Sequence, residues 1–452
     1  MPDQAATNVV AQVAGLRLSR QASGLPSAAG VLLPFGNPEG CRTKASRRLT
    51  LLLHLHLTLD LELWTLDFAM PLKVLIIPDK FKGTLSAAAA AQAIARGWRK
   101  ARPNDSLDLL PMSDGGDGFG EVLGGLLGAK VQSTRTVDAA HRACTARWWW
   151  EPKTKTAVIE TATIIGLAML PPKKFHPFQL DTFGLGAVIR AAAARGARRC
   201  FLGIGGSATN DGGFGLAKSL GWTFYDGDGN LIEQWISLSS LAQIRAPRRR
   251  RWFREMIVAV DVQNPLLGPR GATRVYGPQK GLRKKDFASA ESCLKRLAQV
   301  VKKELGRDFA CEPGSGAAGG LGFGLLAFGA ARAEPGFEVF ARYSSLERRL
   351  AWADLVITGE GSIDNSTLMG KGVGRIATRC RELGIPCIGL AGVSTKASRR
   401  RIFTEVRALT ELASPKQARV RAAYWLERLA LKVAGPRAVL GSQQPRTRDQ
   451  AA

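Results

Sequence analysis

Residues 203–215 read GIGGSATNDGGFG, in which six glycines surround Ser207, Thr209, Asn210 and Asp211. Glycine lets backbone amides approach a ligand closely, and amides beside hydroxyl groups form a concave site for phosphate oxygens. The apolar run before this stretch predicts a buried strand, and the residues after it predict the start of a helix. A glycine-rich turn between a strand and a helix directs the helix N-terminus at bound negative charge. The stretch therefore predicts an anion-binding turn in an α/β fold, with a tight structural turn as the alternative.

The body of the chain alternates apolar strands with helices at both of its ends. The predicted strands include residues 73–77, 106–112, 257–262 and 355–358, and an alanine-rich helix capped by Ser86 follows the first of them. This alternation indicates a parallel sheet with helices on both faces, whereas the middle of the chain is richer in strands with polar faces. We therefore predict an α/β domain that is interrupted by an inserted domain.

The two ends of the sequence differ from its body. Residues 1–69 pass through a basic segment and end in leucines that alternate with polar residues. A bilayer span needs about 20 consecutive apolar residues, and a signal peptide needs its charge and apolar core near the start, so the pattern fits neither. We expect residues 1–69 to be a disordered extension or a mis-assigned start before Met70, with an added edge strand as the alternative. Residues 434–452 are expected to form a disordered tail.

The composition is strongly basic, with 64 Lys and Arg against 37 Asp and Glu and a net charge of +27. Such a charge attracts nucleic acids, acidic membranes and small anionic substrates alike. Arginine runs at 248–251 and 399–401 are interpreted as solvated faces. Aromatic residues are not interleaved with these runs, and the sequence has no zinc-finger, helix-turn-helix or RNA-binding signature. We therefore expect small anionic substrates and no specific nucleic-acid partner or membrane.

Cysteine and histidine patterns exclude several classes of site. The seven cysteines are widely spaced without a CxxC pair, which argues against a zinc site and a disulfide scaffold and favours reduced thiols. The four histidines form no HExxH motif. The sequence is therefore typical of a cytoplasmic protein, and a histidine-based nucleophilic triad is disfavoured.

Polar residues follow each of the strands predicted at 73–77, 106–112, 257–262 and 355–358. Ligand groups of open α/β sheets gather at such carboxyl ends of strands. Carboxylates there suit Mg²⁺ or a substrate hydroxyl, and Lys or Arg can clamp a carboxylate or phosphate, although Asp-Gly turns are also common in structural roles. In chain order these residues are Asp79, Lys80 and Lys82; Asp114 and Asp117; Asp261, Asn264, Arg270 and Lys280; and Glu360, Asp364 and Lys371.

Six long motifs in order resemble the type I glycerate kinase family over roughly residues 70–433. They are PDKFKGTLSA, PMSDGGDG, GIGGSATNDGGFG, DVQNPLLGPRGATRVYGPQKG, GSGAAGGLGFG and VITGEGSIDNSTLMGK. The resemblance implies ATP-dependent phosphorylation of glycerate, in this class usually at the 2-hydroxyl. It also implies a flavodoxin-like parallel-sheet domain, which we expect from residues 70–134 and 314–433, and an inserted mixed α/β domain from residues 135–313, with the site in the cleft between them.

The chain departs from the family pattern at three places in its body. Lys80 stands where Ser is common, TATIIGL at 161–167 replaces a small-residue stretch, and DAAH at 138–141 replaces a Gly-Pro turn. The second departure would alter substrate fit if it lined the cleft. Residues 1–69 have no counterpart in the family.

The chemistry of phosphoryl transfer assigns provisional roles to these residues. The reaction needs positioned positive charge around the phosphates and a carboxylate that takes the hydroxyl proton. We expect that base to come from Asp79 and Asp211, with Lys82 and Lys280 contacting phosphate or carboxylate groups. Substrate or phosphate contacts are expected from Gly205, Gly206, Ser207, Thr209, Asn210, Asn264, Arg270 and Lys371. Metal ligands are expected among Asp114, Asp261, Glu360 and Asp364, with ATP and Mg²⁺ as cofactors.

Other functions stay open at the sequence level. A kinase acting on another small hydroxy acid is the nearest alternative, and a non-catalytic ligand-binding regulator with the same fold is another, although the carboxylates and lysines at the strand ends argue against lost catalysis. A nucleic-acid-binding protein would show salt-sensitive association. A homodimer also stays open.

Overall fold

The computed structural model describes residues 70–368, 372–395 and 402–435, all of which belong to one compact unit, Met70–Ala452. The predictions for residues 1–69, for Lys371, for the arginine run 399–401 and for the tail from residue 436 onward lie outside the described residues.

Strands and helices alternate along most of the described chain. The strands are β1 (Lys73–Pro78), β2 (Ser106–Leu109), β3 (Lys130–Val137), β4 (Ala143–Glu151), β5 (Thr156–Glu160), β6 (Arg199–Gly203), β7 (Thr223–Asp226), β8 (Leu241–Arg245), β9 (Glu255–Ala259), β10 (Arg332–Glu334), β11 (Leu355–Ile363), β12 (Cys387–Ser394) and β13 (Glu405–Ala408). The α-helices are α1 (Ala87–Ala101), α2 (Phe119–Leu126), α3 (Ala162–Ile165), α4 (Leu185–Ala194), α5 (Phe214–Ser219), α6 (Ala272–Lys280), α7 (Phe287–Leu305), α8 (Ala317–Phe328), α9 (Gly336–Ser344), α10 (Leu346–Trp352), α11 (Asn365–Leu368), α12 (Gly372–Glu382), α13 (Pro415–Val420) and α14 (Ala422–Ala434).

The first sheet is parallel throughout and has the strand order β13-β12-β11-β1-β2. Its interior strand β1 is apolar on both faces because both are covered: Val74 and Ile76 belong to one core cluster, and Leu75 and Ile77 to another. The predicted cap of α1 is confirmed, since the Ser86 hydroxyl accepts a hydrogen bond from the Ala89 amide at 3.2 Å.

The second sheet has the order β10-β9-β6-β5-β4-β3. Strands β10, β9, β6 and β5 are parallel, and β4 and β3 continue the sheet antiparallel. Residues 148–150 of β4 are three buried tryptophans, and the Trp148 indole donates a hydrogen bond to the Thr134 hydroxyl at 3.0 Å. A separate hairpin pairs β7 with β8.

The α/β class predicted from the sequence is confirmed. Strands of the first sheet come from residues 73–109 and 355–408, and strands of the second come from residues 130–334. The division into two domains at residues 134 and 314 stays a prediction. Among the described helices, none has both the length and the apolar character that a membrane span requires.

Several predicted elements have different bounds in the structure. The strand expected at 355–358 continues to Ile363, because its polar end still pairs with β12 as far as Ser394. The helix expected after residue 314 begins at Ala317 and contains Ala318, Gly319 and Gly320 with positive φ angles of 56°, 72° and 86°. A Cβ atom at Gly319 would lie 1.9 Å from the Thr209 carbonyl oxygen, so this left-handed turn permits a close approach to residues 203–215.

Candidate active site

A cavity of about 680 Å³, which we call the main cavity, lies at the carboxyl ends of strands from both sheets. Its walls come from the segments that follow β1, β2, β5, β6 and β9, together with α6 and the start of α8. The structure thus brings seven of the predicted site residues together, as expected of strand ends: Lys82, Asp114, Gly205, Gly206, Ser207, Asp261 and Lys280.

A second cavity of about 810 Å³, which we call the side cavity, adjoins the main cavity. Lys82, Asp117, Glu160 and Thr163 line both cavities and therefore stand between them. Much of the remaining wall of the side cavity is apolar and includes Leu109, Leu110, Met112, Val122, Leu126 and Val131.

Lys280 connects α6 to the glycine-rich turn. Its ammonium group donates hydrogen bonds to the Ser207 hydroxyl at 3.0 Å and to the Thr209 carbonyl oxygen at 2.6 Å. Burial lowers the pKa of Lys280 to about 7, against an opposing effect of the Asp211 charge. A lysine ammonium carries three donors, so one remains for a ligand. Lys280 is therefore a buried, positioned cation at the wall of the main cavity.

The turn itself approaches the loop after β2. Gly206 has a φ of +78°, and a Cβ atom there would lie 2.1 Å from the Asp117 carboxylate oxygen Oδ1. The Gly205 amide donates to the Gly115 carbonyl oxygen at 3.1 Å. The glycines of the turn are therefore required for its contact with Asp117 and the adjacent glycines.

Asp211 lies behind the wall of the main cavity and does not line either cavity. Its side chain is fully buried, and its carboxylate accepts hydrogen bonds from the amide and hydroxyl of Thr182 and from the amides of Gly213 and Gly215. Burial raises the pKa of Asp211 to about 6, and the Asp181 charge adds to the effect, while these hydrogen bonds oppose it. The geometry is that of a carboxylate that organises the start of α5.

Asp79, the other residue from which we expected the base, follows the last residue of β1 and also does not line either cavity. Its carboxylate accepts a hydrogen bond from the Lys80 amide at 2.7 Å, and its own amide donates to the Gly359 carbonyl oxygen at 2.8 Å. The structure therefore does not bring Asp79 and Asp211 together at the cavity surface.

Asp114 and Asp261 are a pair of acidic side chains in the main cavity. Burial, followed by the negative charge of Asp114, raises the pKa of Asp261 to about 6. Within the described residues, Oδ2 of Asp261 is buried without a hydrogen-bond partner, and no group of three or more His, Cys, Asp or Glu side chains is arranged to hold a metal. One or two carboxylates, completed by water and phosphate oxygens, are the usual protein contribution to a Mg²⁺ site. The pair therefore fits Mg²⁺ bound together with a phosphorylated ligand.

Four predicted binding residues lie around the main cavity without lining it. Thr209 and Asn210 are fully buried, and the Asn210 amide donates to the Thr273 hydroxyl at 3.2 Å. The Asn264 amide donates to the Arg270 carbonyl oxygen at 2.7 Å, and Asn264 Oδ1 accepts the hydroxyl hydrogen bond of Tyr276, which does line the cavity. These residues shape the loops that form the site.

Glu360 and Asp364 form a separate group at the end of β11 and line neither cavity. Glu360 accepts a hydrogen bond from the Thr367 hydroxyl at 2.6 Å, and Asp364 accepts one from the Ser362 hydroxyl at 2.9 Å. Because β11 extends to Ile363, Glu360 lies within the strand and not beyond its end.

Several residues of the cavity wall were not among the predicted site residues. Glu160 ends β5, and its carboxylate accepts hydrogen bonds from the amides of Gly118 at 2.8 Å and Gly120 at 3.0 Å. Burial raises the pKa of Glu160. Tyr276 and Gln279 project from α6 in the same motif as Lys280. Extending the strand-end argument to residues 156–160 would have identified Glu160.

Sequence comparisons find close similarity over most of the chain. A family model described as the glycerate kinase family matches residues 74–436. The glycerate kinase of Bacillus subtilis is 38% identical over 330 residues, which are 72% of this chain and 86% of that protein. The glycerate 2-kinase of Escherichia coli is 37% identical over 328 residues, again 72% of this chain and 86% of that protein.

A structural comparison agrees with the sequences. The crystal structure of a protein described as glycerate kinase 2 from Salmonella typhimurium superposes with a TM-score of 0.68 at 34% identity, covering 81% of this chain and 98% of that one. These findings confirm the resemblance drawn from the six motifs and the enzyme class that it implied, a phosphotransferase with an alcohol group as acceptor.

Proposed function

Because the chain belongs to the glycerate kinase family, we propose that it transfers the γ-phosphoryl group of ATP to the 2-hydroxyl of D-glycerate in the main cavity. The observation that carries this proposal is the meeting of Lys82, Lys280 and the turn at 205–207 with the carboxylates Asp114 and Asp261 around one space. Phosphoryl transfer requires positioned charge of this kind more than covalent help from the protein.

The positive groups of the main cavity bind and orient the anionic parts of both substrates. Lys280 is already held by Ser207 and Thr209, so little reorganisation accompanies its contact with a phosphate or carboxylate group. A bound anion also favours the charged form of a lysine whose pKa burial has lowered. Lys82 stands between the two cavities and can contact a group that bridges them.

The side cavity is the proposed position of the adenosine part of ATP. Its wall is largely apolar, as nucleotide sites usually are, and its volume of about 810 Å³ lies in the range of small-molecule pockets. The residues shared with the main cavity then mark where the phosphates pass from one cavity into the other.

Asp114 and Asp261 would hold Mg²⁺, which supplies charge neutralisation on the phosphates when bound. A general base must lie within hydrogen-bond reach of the substrate hydroxyl, and the buried, fully engaged carboxylate of Asp211 does not meet this condition. We assign proton acceptance to Asp117, whose carboxylate lies against Gly206 and lines both cavities. Asp211 then acts as a positioning residue for the turn and for Lys280.

A kinase for a different small hydroxy acid is the second candidate, and one observation favours it. Ala162, Thr163, Gly166 and Leu167, which belong to the stretch that departs from the family pattern, line the main cavity. Side chains in this wall contact the acceptor, so their identity can change which hydroxy acid fits.

The direct test is an assay of ADP release by the full chain with ATP, Mg²⁺ and D-glycerate, with 2- and 3-phosphoglycerate distinguished by coupling enzymes. We expect turnover with 2-phosphoglycerate as the product. Larger 2-hydroxy acids are assayed in parallel, and a higher kcat/KM for one of them would favour the second candidate. A folded protein that binds ATP but phosphorylates none of these acids would contradict both.

A further inference from the structure

The second sheet has another pair of cavities at the opposite ends of its strands. A cavity of about 650 Å³ and a neighbouring one of about 570 Å³ share Arg251, Ala330, Ala331 and Arg332. Arg199 and Glu255, which begin β6 and β9, line the smaller one, whereas the main cavity lies at the carboxyl ends of the same two strands. The two cavities, which we call the arginine groove, are therefore separate from the candidate active site.

The charge of the arginine groove is strongly unbalanced. Its walls contain two carboxylates, Glu255 and Glu312, and six arginines: Arg199, Arg250, Arg251, Arg254, Arg307 and Arg332. Glu255 pairs with both Arg199 and Arg332, at 2.5 and 2.7 Å, and Glu312 pairs with Arg307 at 2.7 Å.

The remaining arginines, at positions 250, 251 and 254, have no carboxylate partner among the described residues. Gathering like charges in concave sites without counter-charges is unfavourable unless solvent or an anion compensates them. Arg250, Arg251 and Arg254 are exposed, as expected of a solvated face, and they also line cavities that hold an apolar surface.

Aromatic side chains line the larger cavity beside the arginines. The Arg250 guanidinium lies 6.0 Å from the Trp222 ring, and that of Arg307 lies 4.9 Å from the Phe309 ring. Trp222 is only 3% exposed, and within the described residues its indole N–H has no acceptor. A buried donor without a partner is costly, and Trp222 belongs to the wall of the larger cavity.

We propose that the arginine groove binds a small anion that carries two or more phosphate groups. Guanidinium groups match phosphate oxygens with paired N–H donors, and several converging arginines select ligands of high negative charge. The larger volume, about 650 Å³, accommodates a ligand up to the size of a nucleotide. The shared chemistry is the phosphate chain, whose source is either inorganic polyphosphate or a nucleoside polyphosphate.

The test is isothermal titration of the full chain with pyrophosphate, ADP and a single-stranded oligonucleotide at physiological salt. The variant Arg250→Gln/Arg251→Gln removes two of the unpaired guanidinium groups. The matched control is Arg99→Gln/Arg348→Gln, which removes the same charge from exposed positions elsewhere. Turnover and circular dichroism establish that each variant is folded.

We expect two classes of site for pyrophosphate, of which one is weakened at least tenfold in the groove variant and unchanged in the control, while turnover persists. The class of sites that the groove variant loses should then be compared for its two ligands. If these sites bind ADP more tightly than pyrophosphate, the natural ligand is a nucleoside polyphosphate. If they bind pyrophosphate more tightly, the natural ligand is inorganic polyphosphate. Equal binding by both variants, or binding of the oligonucleotide alone, would overturn the proposal. The site in the arginine groove is measured by binding, and the kinase activity is measured by turnover. A failure to find the groove site would therefore leave the proposed kinase activity untouched.

Discussion

Replacing Lys280 with methionine separates the catalytic contribution of this residue from its effect on stability. The substitution keeps a long side chain but removes the ammonium group that faces the main cavity and bonds to Ser207 and Thr209. Loss of one preorganised donor to a developing negative charge typically costs about 10²–10³ in rate. We therefore expect kcat/KM for glycerate phosphorylation to fall by a factor in this range.

The stability of the same variant should change in the opposite direction near neutral pH. Burial lowers the pKa of Lys280 from 10.5 to about 7, so the charged form is penalised in the folded state by an amount on the order of 5 kcal/mol. Methionine removes this penalty but leaves the Thr209 carbonyl oxygen and Ser207 without their donor, which costs about 1–3 kcal/mol. At pH 7 the variant should be more stable than the wild type by about 2–4 kcal/mol.

This advantage should disappear as pH rises. Between pH 7 and pH 10 the unfolded state holds a proton on Lys280 that the folded state has released, so the free energy of unfolding of the wild type increases with pH relative to the variant. At pH 10 the variant should be the less stable protein, because the unpaired acceptors remain while most of the burial penalty has gone.

Urea unfolding at pH 7 and pH 10, combined with the ADP-release assay, measures both effects. Lys303→Met, which alters an exposed residue of α7, is the control and should change neither the activity nor the pH dependence of stability. A folded K280M protein with more than a tenth of the wild-type kcat/KM, or a stability difference that does not change with pH, would show that Lys280 is not a buried cation used in catalysis.

The remaining predictions concern the glycine turn and the acidic residues. Asp211 lines neither cavity, so Asp211→Asn should retain more than a tenth of kcat; loss of all turnover in a folded protein would instead make Asp211 the base. Gly206→Ala should lower kcat/KM at least tenfold, because its Cβ would lie 2.1 Å from the Asp117 carboxylate at a φ of +78°, and an unaffected rate would show that the turn tolerates movement. Asp261→Asn should weaken Mg²⁺·ATP binding in calorimetry. Burial raises the pKa of Asp261 to about 6, so the stability that the protonated carboxyl contributes below its usual pKa is lost as pH rises through 6. This variant should therefore gain stability relative to the wild type above pH 6, and a gain confined to acid pH would contradict the assignment.

The strand framework of this site could be predicted from the sequence. The apolar runs that became β1, β6, β9 and β11 each have both faces covered in the structure, so local hydrophobicity was sufficient to identify them. Six of the predicted site residues, near the ends of β1, β2, β6 and β9, meet in the main cavity because parallel strands present their carboxyl ends at one edge, and the seventh, Lys280, comes from the end of α6.

The orientation of individual carboxylates could not be predicted in this way. Asp211 lies in the same glycine-rich turn as Ser207, but it lines neither cavity, because its carboxylate accepts hydrogen bonds from Thr182, 29 residues earlier in the chain, and from the amides of Gly213 and Gly215. Glu360 was expected beyond the end of a strand, yet pairing with β12 continues past it. Both outcomes depend on tertiary partners that strand periodicity does not encode.

The proposed reaction requires that glycerate and the phosphates of ATP meet in the main cavity. A crystal structure of the full chain with D-glycerate, Mg²⁺ and a non-hydrolysable ATP analogue tests it most directly. We expect the phosphates within hydrogen-bond distance of Lys82 and Lys280, the metal on Asp114 and Asp261, and the glycerate 2-hydroxyl beside Asp117. Glycerate bound outside this cavity, or phosphates held at Glu360 and Asp364 instead, would contradict it.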